Sequence, residues 1–464
     1  MESEKKPAFK FTQGYTFKIL LLILLVLLLL IPLTMIRGLI YERSRTAGTA
    51  EADVMEAWGS ELVAAGPFVA IPGIRTVETR TRTERDGEVV DIARRPFTLI
   101  IAPEKLNIEA DFKTEIRRRG IFSVPLFYGD LSLSGNFNTA PAFSSLLPNE
   151  ELFLNQAEFI IVLSSQKGIR KIDTARWNNF NLFFQPGSRE MNIVRRVDSI
   201  NPRFSSSRSN SGIYAALPEL TEAESSFDIA INIQGGQLVR FLPAGQDTHI
   251  AISADWVSPS FQGAFLPNTS NISDNGFDAI WDINYLSRDI PLFWKIEGGS
   301  DSGRDYSDSL FGVNFFRAVD TYSLNTRAVK YAILFLVVPF LTLFLLEVFT
   351  KKKIHPVPYL LSGIANVIFY LLLLSLSEQM IFYLAYLIAA LSVIILLTLY
   401  SRALLPSWKK SWYMGLVVTI SYVLLYAVLN AESYALLIGS IGAFVIIALV
   451  MFLTRKLNWY GTEE

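Results

Sequence analysis

The first strong pattern in the chain is an unbroken apolar block, "ILLLILLVLLLLIPLTMI" (19–36), held between Lys18 and Arg37. At a rise of about 1.5 Å per residue, ~20 apolar residues cross a hydrocarbon core of ~30 Å, so this block predicts a membrane-spanning helix over 17–40. A cleavable signal peptide is the other reading of such a block. The small-residue stretch "TAGTAEA" (46–52) lies well beyond the apolar run, which is also longer than a signal h-region, so an uncleaved signal anchor is expected.

Beyond Arg45 the pattern changes. Short alternating stretches, "FTLIIA", "FSVPLFYGDLSLSGNF", "EFIIVLSSQ", "FDIAINI" and "THIAISADW", are separated by Gly, Pro, Asn and Asp. A period of two bounded by turn formers predicts strands, at the spacing of an all-β domain. Only 48–64, "GTAEADVMEAWGSELVA", carries a helical period and predicts one helix leading off the anchor. "FYGDLSLSGNF" followed by "VLSSQKGI" is echoed by "AISADWVSPSFQGAF" followed by "INYLSRDI", with the Ser/Asn-rich 201–212 between them. These echoes are expected to mark two related antiparallel β lobes, about 66–200 and 213–327; one continuous sandwich is the alternative.

From Ala328 apolar segments return at approximately 328–350, 357–376, 380–400, 411–430 and 433–453, joined by very short turns. "SLSEQ" and "NAES" carry no Lys or Arg, whereas "TKKKIHP", "SRALLPSWKKS" and the tail "TRKLNWYGTEE" are basic. Short basic loops favour the cytoplasm. The predicted fold is therefore a membrane α-helical bundle of six transmembrane helices, one N-terminal anchor plus a C-terminal five-helix bundle, with a large inserted all-β periplasmic domain. Its expected divisions are a cytoplasmic 1–16, the anchor 17–40, the β-rich 41–327, the bundle 328–453 and a cytoplasmic 454–464. Arg37, Arg43 and Arg45 after the first span pull the other way, against Lys5, Lys6, Lys10 and Lys18 before it. The later loops decide, since long domains translocate largely regardless of charge.

Composition narrows the chemistry. Lys and Arg total 42 against 43 Asp and Glu, so no basic surface points to nucleic acid. With no cysteine, disulfides, thiolate catalysis and cysteine metal sites are excluded. His249 and His355 are the two histidines and stand in no metal-ligand spacing. No Ser-His-Asp set, P-loop or dinucleotide fingerprint occurs, and no catalytic residue, cofactor or metal is expected.

Attention falls instead on polar residues of the bundle. Glu347 precedes Lys351 by four residues, a spacing that predicts an interfacial ion pair. Glu378 and Glu432 occupy the neutral turns, where acids flanking helix N-termini are favoured by the dipole. Asn366 and Tyr370 share one face of the third span and predict interhelical hydrogen bonds; Gly363, Gly439 and Gly442 suit close helix approach. His355, in "KKKIHPVPY", is read as a turn residue capping the end of the second span, with Pro356 and Pro358 separating the two helices. In the β domain "RRRG" (117–120) predicts a solvated hairpin turn, Trp256, Trp281 and Trp294 with Phe261 and Phe265 predict core packing, and "DSGRDYSDSLFG" (301–312) lacks a calcium-loop pattern.

Several stretches together resemble a known family. "AVDTYSLNTRAVKYAILFLVVPFLTLFLLEVF" (318–349), "IHPVPYLLSGIANVIFYLLLLSLSEQM" (354–380) and "ESYALLIGSIGAFVIIALVMFLTRKLNWY" (432–460) resemble the CreD family of bacterial inner-membrane, or cell envelope integrity, proteins. "AWGSELVAAGPFVAIP", "RRRGIFSVPLFYGDL", "DWVSPSFQGAFLP", "GFDAIWDINYLSRDIP" and "DSLFGVNFFRAVDTY" follow in the family's order. Two departures stand in the most recognisable region. Pro358 replaces the family's usual Gln in "HPVPY", and Gln379 stands where His usually follows Ser-Glu. The resemblance implies a place in an envelope-stress response of Gram-negative bacteria and an effect on tolerance of envelope-active agents; it implies no reaction. Two functions are carried forward. One is a non-enzymatic platform whose β domain binds or braces an envelope protein, lipid or peptidoglycan, with membrane lipids around the bundle. The other is a transporter or lipid-handling protein using the bundle, in which Glu347, Asn366, Tyr370 and Glu378 would matter individually.

Overall fold

The structure is a computed structural model, and it describes residues 15–83, 87–189, 191, 211–218, 220, 224–297, 305–315, 321–350, 352–405, 408–431 and 434–455. The chain divides into two compact units. One comprises 1–46 with 319–464, the other Ala47–Ala318.

The first unit is helical. It is built on α1 (Tyr15–Trp58), α3 (Thr321–Thr350), α4 (Pro356–Ser377), α5 (Phe382–Leu404), α6 (Trp408–Asn430) and α7 (Ala435–Thr454); the short α2 (Ala140–Ser144) belongs to the other unit. Among the described residues, α1 and α3 to α6 are long and apolar enough to cross a membrane. At 20 residues, α7 spans about 30 Å and matches the hydrocarbon thickness too. These helices are apolar all round, as lipid-facing helices must be. Leu20, Ile31, Leu391, Leu399 and Phe444 are exposed, while Leu29, Ala328, Leu336, Phe369, Ala389 and Leu425 form the core between helices. Gly363 permits one close approach: a methyl there would lie 2.2 Å from Leu29 and 2.7 Å from Phe340. At Gly442 a methyl would lie 2.9 Å from Leu424, whereas at Gly439 it would meet only the Tyr331 ring at 3.6 Å.

The helix expected over 48–64 is the continuation of α1, and it stops earlier, at Trp58. Gly59 and Ser60 take positive φ values of 144° and 61°, which end the helix, and "LVAAGPFVAI" then forms a strand. The reason is tertiary: this apolar run is buried almost completely within a sheet, so no polar helical face is needed.

The second unit contains, among the described residues, a ten-stranded and an eight-stranded sheet. The strands Lys105–Arg119, Ser225–Gly236, Asp247–Ala254 and Gly276–Asn284 of the eight-stranded sheet alternate buried and exposed positions. Their inward residues, such as Ile108, Phe112, Ile229, Ile252 and Trp281, join Phe68, Ile71, Leu99, Phe159 and Phe311 of the other sheet in one core. Aromatic pairs cross between the sheets, Phe137 with Phe159 at 6.1 Å and Trp281 with Phe311 at 5.6 Å. The expected lobes 66–200 and 213–327 do not fold side by side, because both sheets take strands from each. Leu62–Ala65 pairs in parallel with Val239–Leu242, and Lys105–Phe112 in parallel with Asp247–Ala254.

One ion network fixes the edge of the ten-stranded sheet. The fully buried side chain of Glu150 accepts from Arg75 at 2.7 Å and Lys295 at 2.5 Å, and its other contact is the Leu147 N–H at 2.9 Å. Arg75 also meets Glu297 at 2.6 Å, and the Phe97 ring lies beneath both cations. Burial alone would push the Glu150 carboxyl up, but the hydrogen bond from Lys295, the Leu147 N–H and the Arg75 guanidinium outweigh it and bring it down to about 2. A carboxyl held below its ordinary value of about 4.5 contributes stability that is complete above that pH and is lost as pH falls through about 2. Glu150→Gln should therefore flatten the acid dependence of unfolding over that window, read by tryptophan fluorescence of the full chain. An unchanged acid limb would show that the network does not set it.

Candidate functional site

The polar side chains of the helical unit gather at three levels along the bundle. At the first, the last turn of α3 carries Glu347, a residue only 6% exposed. It accepts hydrogen bonds from Lys18 through both oxygens and from the Tyr359 hydroxyl at 2.7 Å. Lys18 also donates to the Ile354 carbonyl at 2.8 Å and lies 5.3 Å from the Tyr359 ring centre. A carboxylate at this depth is costly unless it is paired and hydrogen-bonded, and it is both. Lys351, the partner expected from i,i+4 spacing, lies outside the described residues. The functional partner that sequence reasoning missed is Lys18, far away in the chain. Its signal was its position as the last charge before the apolar block of α1. His355 caps the start of α4, not the end of α3 as expected, its Nδ1 accepting from the Val357 N–H at 3.3 Å. Pro356 at the first helical position explains the switch, since the proline starts α4 there and leaves His355 as its N-cap.

At the opposite end stands Glu378, its side chain 7% exposed. Its expected place beside a helix N-terminus gives way to the C-cap of α4, where the dipole disfavours an anion. Compensation comes from Arg43 of α1 at 3.1 Å and the Tyr322 hydroxyl of α3 at 3.0 Å. Next to it Asn325 donates to Ser377 Oγ at 2.9 Å. Glu432 lies outside the described residues. Both ends thus repeat one chemistry, a buried carboxylate held by a cation of α1 and a tyrosine hydroxyl.

The middle level is built around a proline. Pro339 inside α3 has no N–H, so the Phe335 carbonyl four residues earlier loses its helical donor. Asn366 of α4 supplies it, Nδ2 donating to Phe335 O at 2.8 Å. Asn366 Oδ1 in turn accepts from the Tyr422 hydroxyl at 2.6 Å, and the Tyr386 hydroxyl donates to the Tyr422 carbonyl at 2.6 Å. The expected interhelical role of Asn366 is what the geometry gives, joining α3, α4 and α6. Tyr370 is different. It is 1% exposed, its ring packs edge-on against Phe369, and its hydroxyl has no hydrogen-bond partner among the described residues.

In the β unit the hairpin over 117–120 turns at Gly120, with φ of 61°. Two of its arginines are engaged: Arg117 stacks 3.7 Å from the Trp58 ring centre and Arg119 meets Asp53 at 3.2 Å. Trp281 and Trp294 are buried, and Trp256, Phe261 and Phe265 pack against the core. His249 pairs with Asp282 at 2.6 Å on an exposed face. Residues 301–304 lie outside the described residues, and among those described no group of three or more His, Asp or Glu could hold a metal ion.

Comparison with known proteins agrees with the architecture. The family model described as inner membrane protein CreD matches residues 14–460. The chain is 30% identical over 460 residues to the inner membrane protein CreD of Escherichia coli (strain K12), covering 98% of this chain and 95% of that protein. Among solved structures, a substrate-bound M1 zinc metallopeptidase of Deinococcus radiodurans aligns over 39% of this chain and 38% of its own at 9% identity. Its TM-score of 0.18 is too low to carry any inference. A match across nearly the whole length, on an apolar helical bundle joined to a two-sheet β unit, places this chain in the CreD family of inner membrane proteins.

Proposed function

We propose that this protein is a non-enzymatic platform of the cell envelope. In this reading the helical unit crosses the inner membrane six times with both termini in the cytoplasm. The unit Ala47–Ala318 stands in the periplasm and binds or braces an envelope protein, lipid or peptidoglycan, contributing to integrity under stress. The charges of the short turns support the orientation. The single observation that carries the proposal is that both buried carboxylates, Glu347 and Glu378, are neutralised by Lys18 and Arg43 of α1. Their charges fasten the anchor helix to the bundle and are not left free to bind a passing substrate.

The buried Tyr370 hydroxyl is the feature that favours the transport or lipid-handling alternative. Two measurements separate them. Glu347→Gln and Glu378→Gln proteins, compared at equal membrane amounts, should keep full tolerance of envelope-active agents. Photocrosslinkers placed at the exposed Phe183 and Leu266 should capture an envelope component in stressed cells. Loss of tolerance in either variant at unchanged amount, with nothing captured by the β unit, would move the activity into the bundle.

A further inference from the structure

An apolar slot of about 480 Å³ opens between α3 and α7, lined by Ile333, Val337 and Leu341 on one side and Ala443, Ile447 and Met451 on the other. It lies within the uncharged run Tyr331–Leu346 of α3, at hydrocarbon depth in an inner membrane protein. Its occupant can be argued from depth and lining. At that level the solvent around the bundle is lipid, and an all-aliphatic lining, completed by Leu334 and Ile446, accepts a flexible hydrocarbon chain.

Charge gives the occupant a head. Lys330 precedes Ile333, Leu334, Val337 and Leu341 at i+3, i+4, i+7 and i+11, which puts it on the same stripe of α3, one turn toward the Thr321 end. It is exposed and is the last charge before the apolar run, where a lysine stem lies along hydrocarbon while its ammonium reaches the headgroup layer. Facing that level, α7 offers Gly439 and Ser440, which leave room beside the Tyr331 ring. We propose that the slot is a phospholipid site, with one acyl chain lodged between α3 and α7 and the lipid phosphate on Lys330. This site is independent of the platform reading, since either function tolerates a bound lipid.

The test uses the full chain, delipidated in detergent and titrated with phosphatidylglycerol or with a diacylglycerol of the same chains, bound lipid being counted by native mass spectrometry. The expected result is one retained phosphatidylglycerol per chain. Lys330→Ala should weaken it about tenfold, the loss of one charge-assisted contact, and leave diacylglycerol unaffected; Lys330→Arg should restore it. Ala443→Phe should abolish retention of both lipids, and Ala443→Leu, a smaller change for a chain that must still fold, should reduce it. Phosphatidylglycerol retention indifferent to Lys330, retention that survives both Ala443 substitutions, or crosslinking of Ile447 to a second copy in place of lipid would each overturn the site.

Discussion

Glu347→Ala is expected to destabilise the helical unit by about 3 kcal/mol, the usual cost of removing one member of a buried ion pair. The loss arises less from the pair's own attraction than from what remains. Lys18 would be left among α1, α3 and α4 with the Ile354 carbonyl as its acceptor, and the Tyr359 hydroxyl would lose its own. Lys18→Met should cost a comparable amount by stranding the carboxylate. The combined Lys18→Met/Glu347→Leu protein should recover most of the loss, because apolar side chains of similar volume often replace a buried pair at no net cost. Tyr359→Phe, which removes one hydrogen bond, should cost only about 1 kcal/mol. Unfolding free energies in micelles or bilayer discs measure all four. If the single variants match the parent, the pair does not clamp α1 and the proposed platform loses its chief support.

Much of this architecture was legible in local pattern. Alternation located the strands through Phe122–Phe137, Phe227–Ile233 and Thr248–Ala254, and unbroken apolar runs located the helices. Gly120 announced its hairpin, and Trp281 its place in the core. What local pattern lacks is any record of which distant elements meet. The parallel pairing of Lys105–Phe112 with Asp247–Ala254 joins segments whose own sequences state only that each is a strand. Glu347 had a cation four residues on and another at the head of the chain, and helix spacing pointed to the nearer one. The buried geometry supplies Lys18, because α1 packs beside the turn between α3 and α4. Glu378 was misplaced because a short turn is both the end of one helix and the approach to another. The residue's own backbone caps α4, and only the positions of Arg43 and Tyr322 explain its tolerance there.

The middle of the bundle lends itself to a sharper test, since its logic starts from a covalent fact. Asn366→Leu should cost about 2 kcal/mol by leaving the Phe335 carbonyl and the Tyr422 hydroxyl unpaired in an apolar core. In a Pro339→Ala background residue 339 regains its N–H, and the carbonyl of Phe335 recovers an intrahelical donor without help from α4. There the same Asn366→Leu change should cost about 1 kcal/mol less, leaving mainly the Tyr422 hydroxyl to be satisfied. Unfolding free energies of the four proteins in bilayer discs give that coupling directly. Tyr422→Phe checks the other half, and its loss should persist whichever residue stands at 339. Equal costs for Asn366→Leu in both backgrounds would mean that Asn366 contributes through α6 alone. A coupling of the stated size would show that a proline in one span and an asparagine in the next work as a single structural unit. In that case the deepest amide of the bundle would be accounted for by the backbone it completes, with no substrate required.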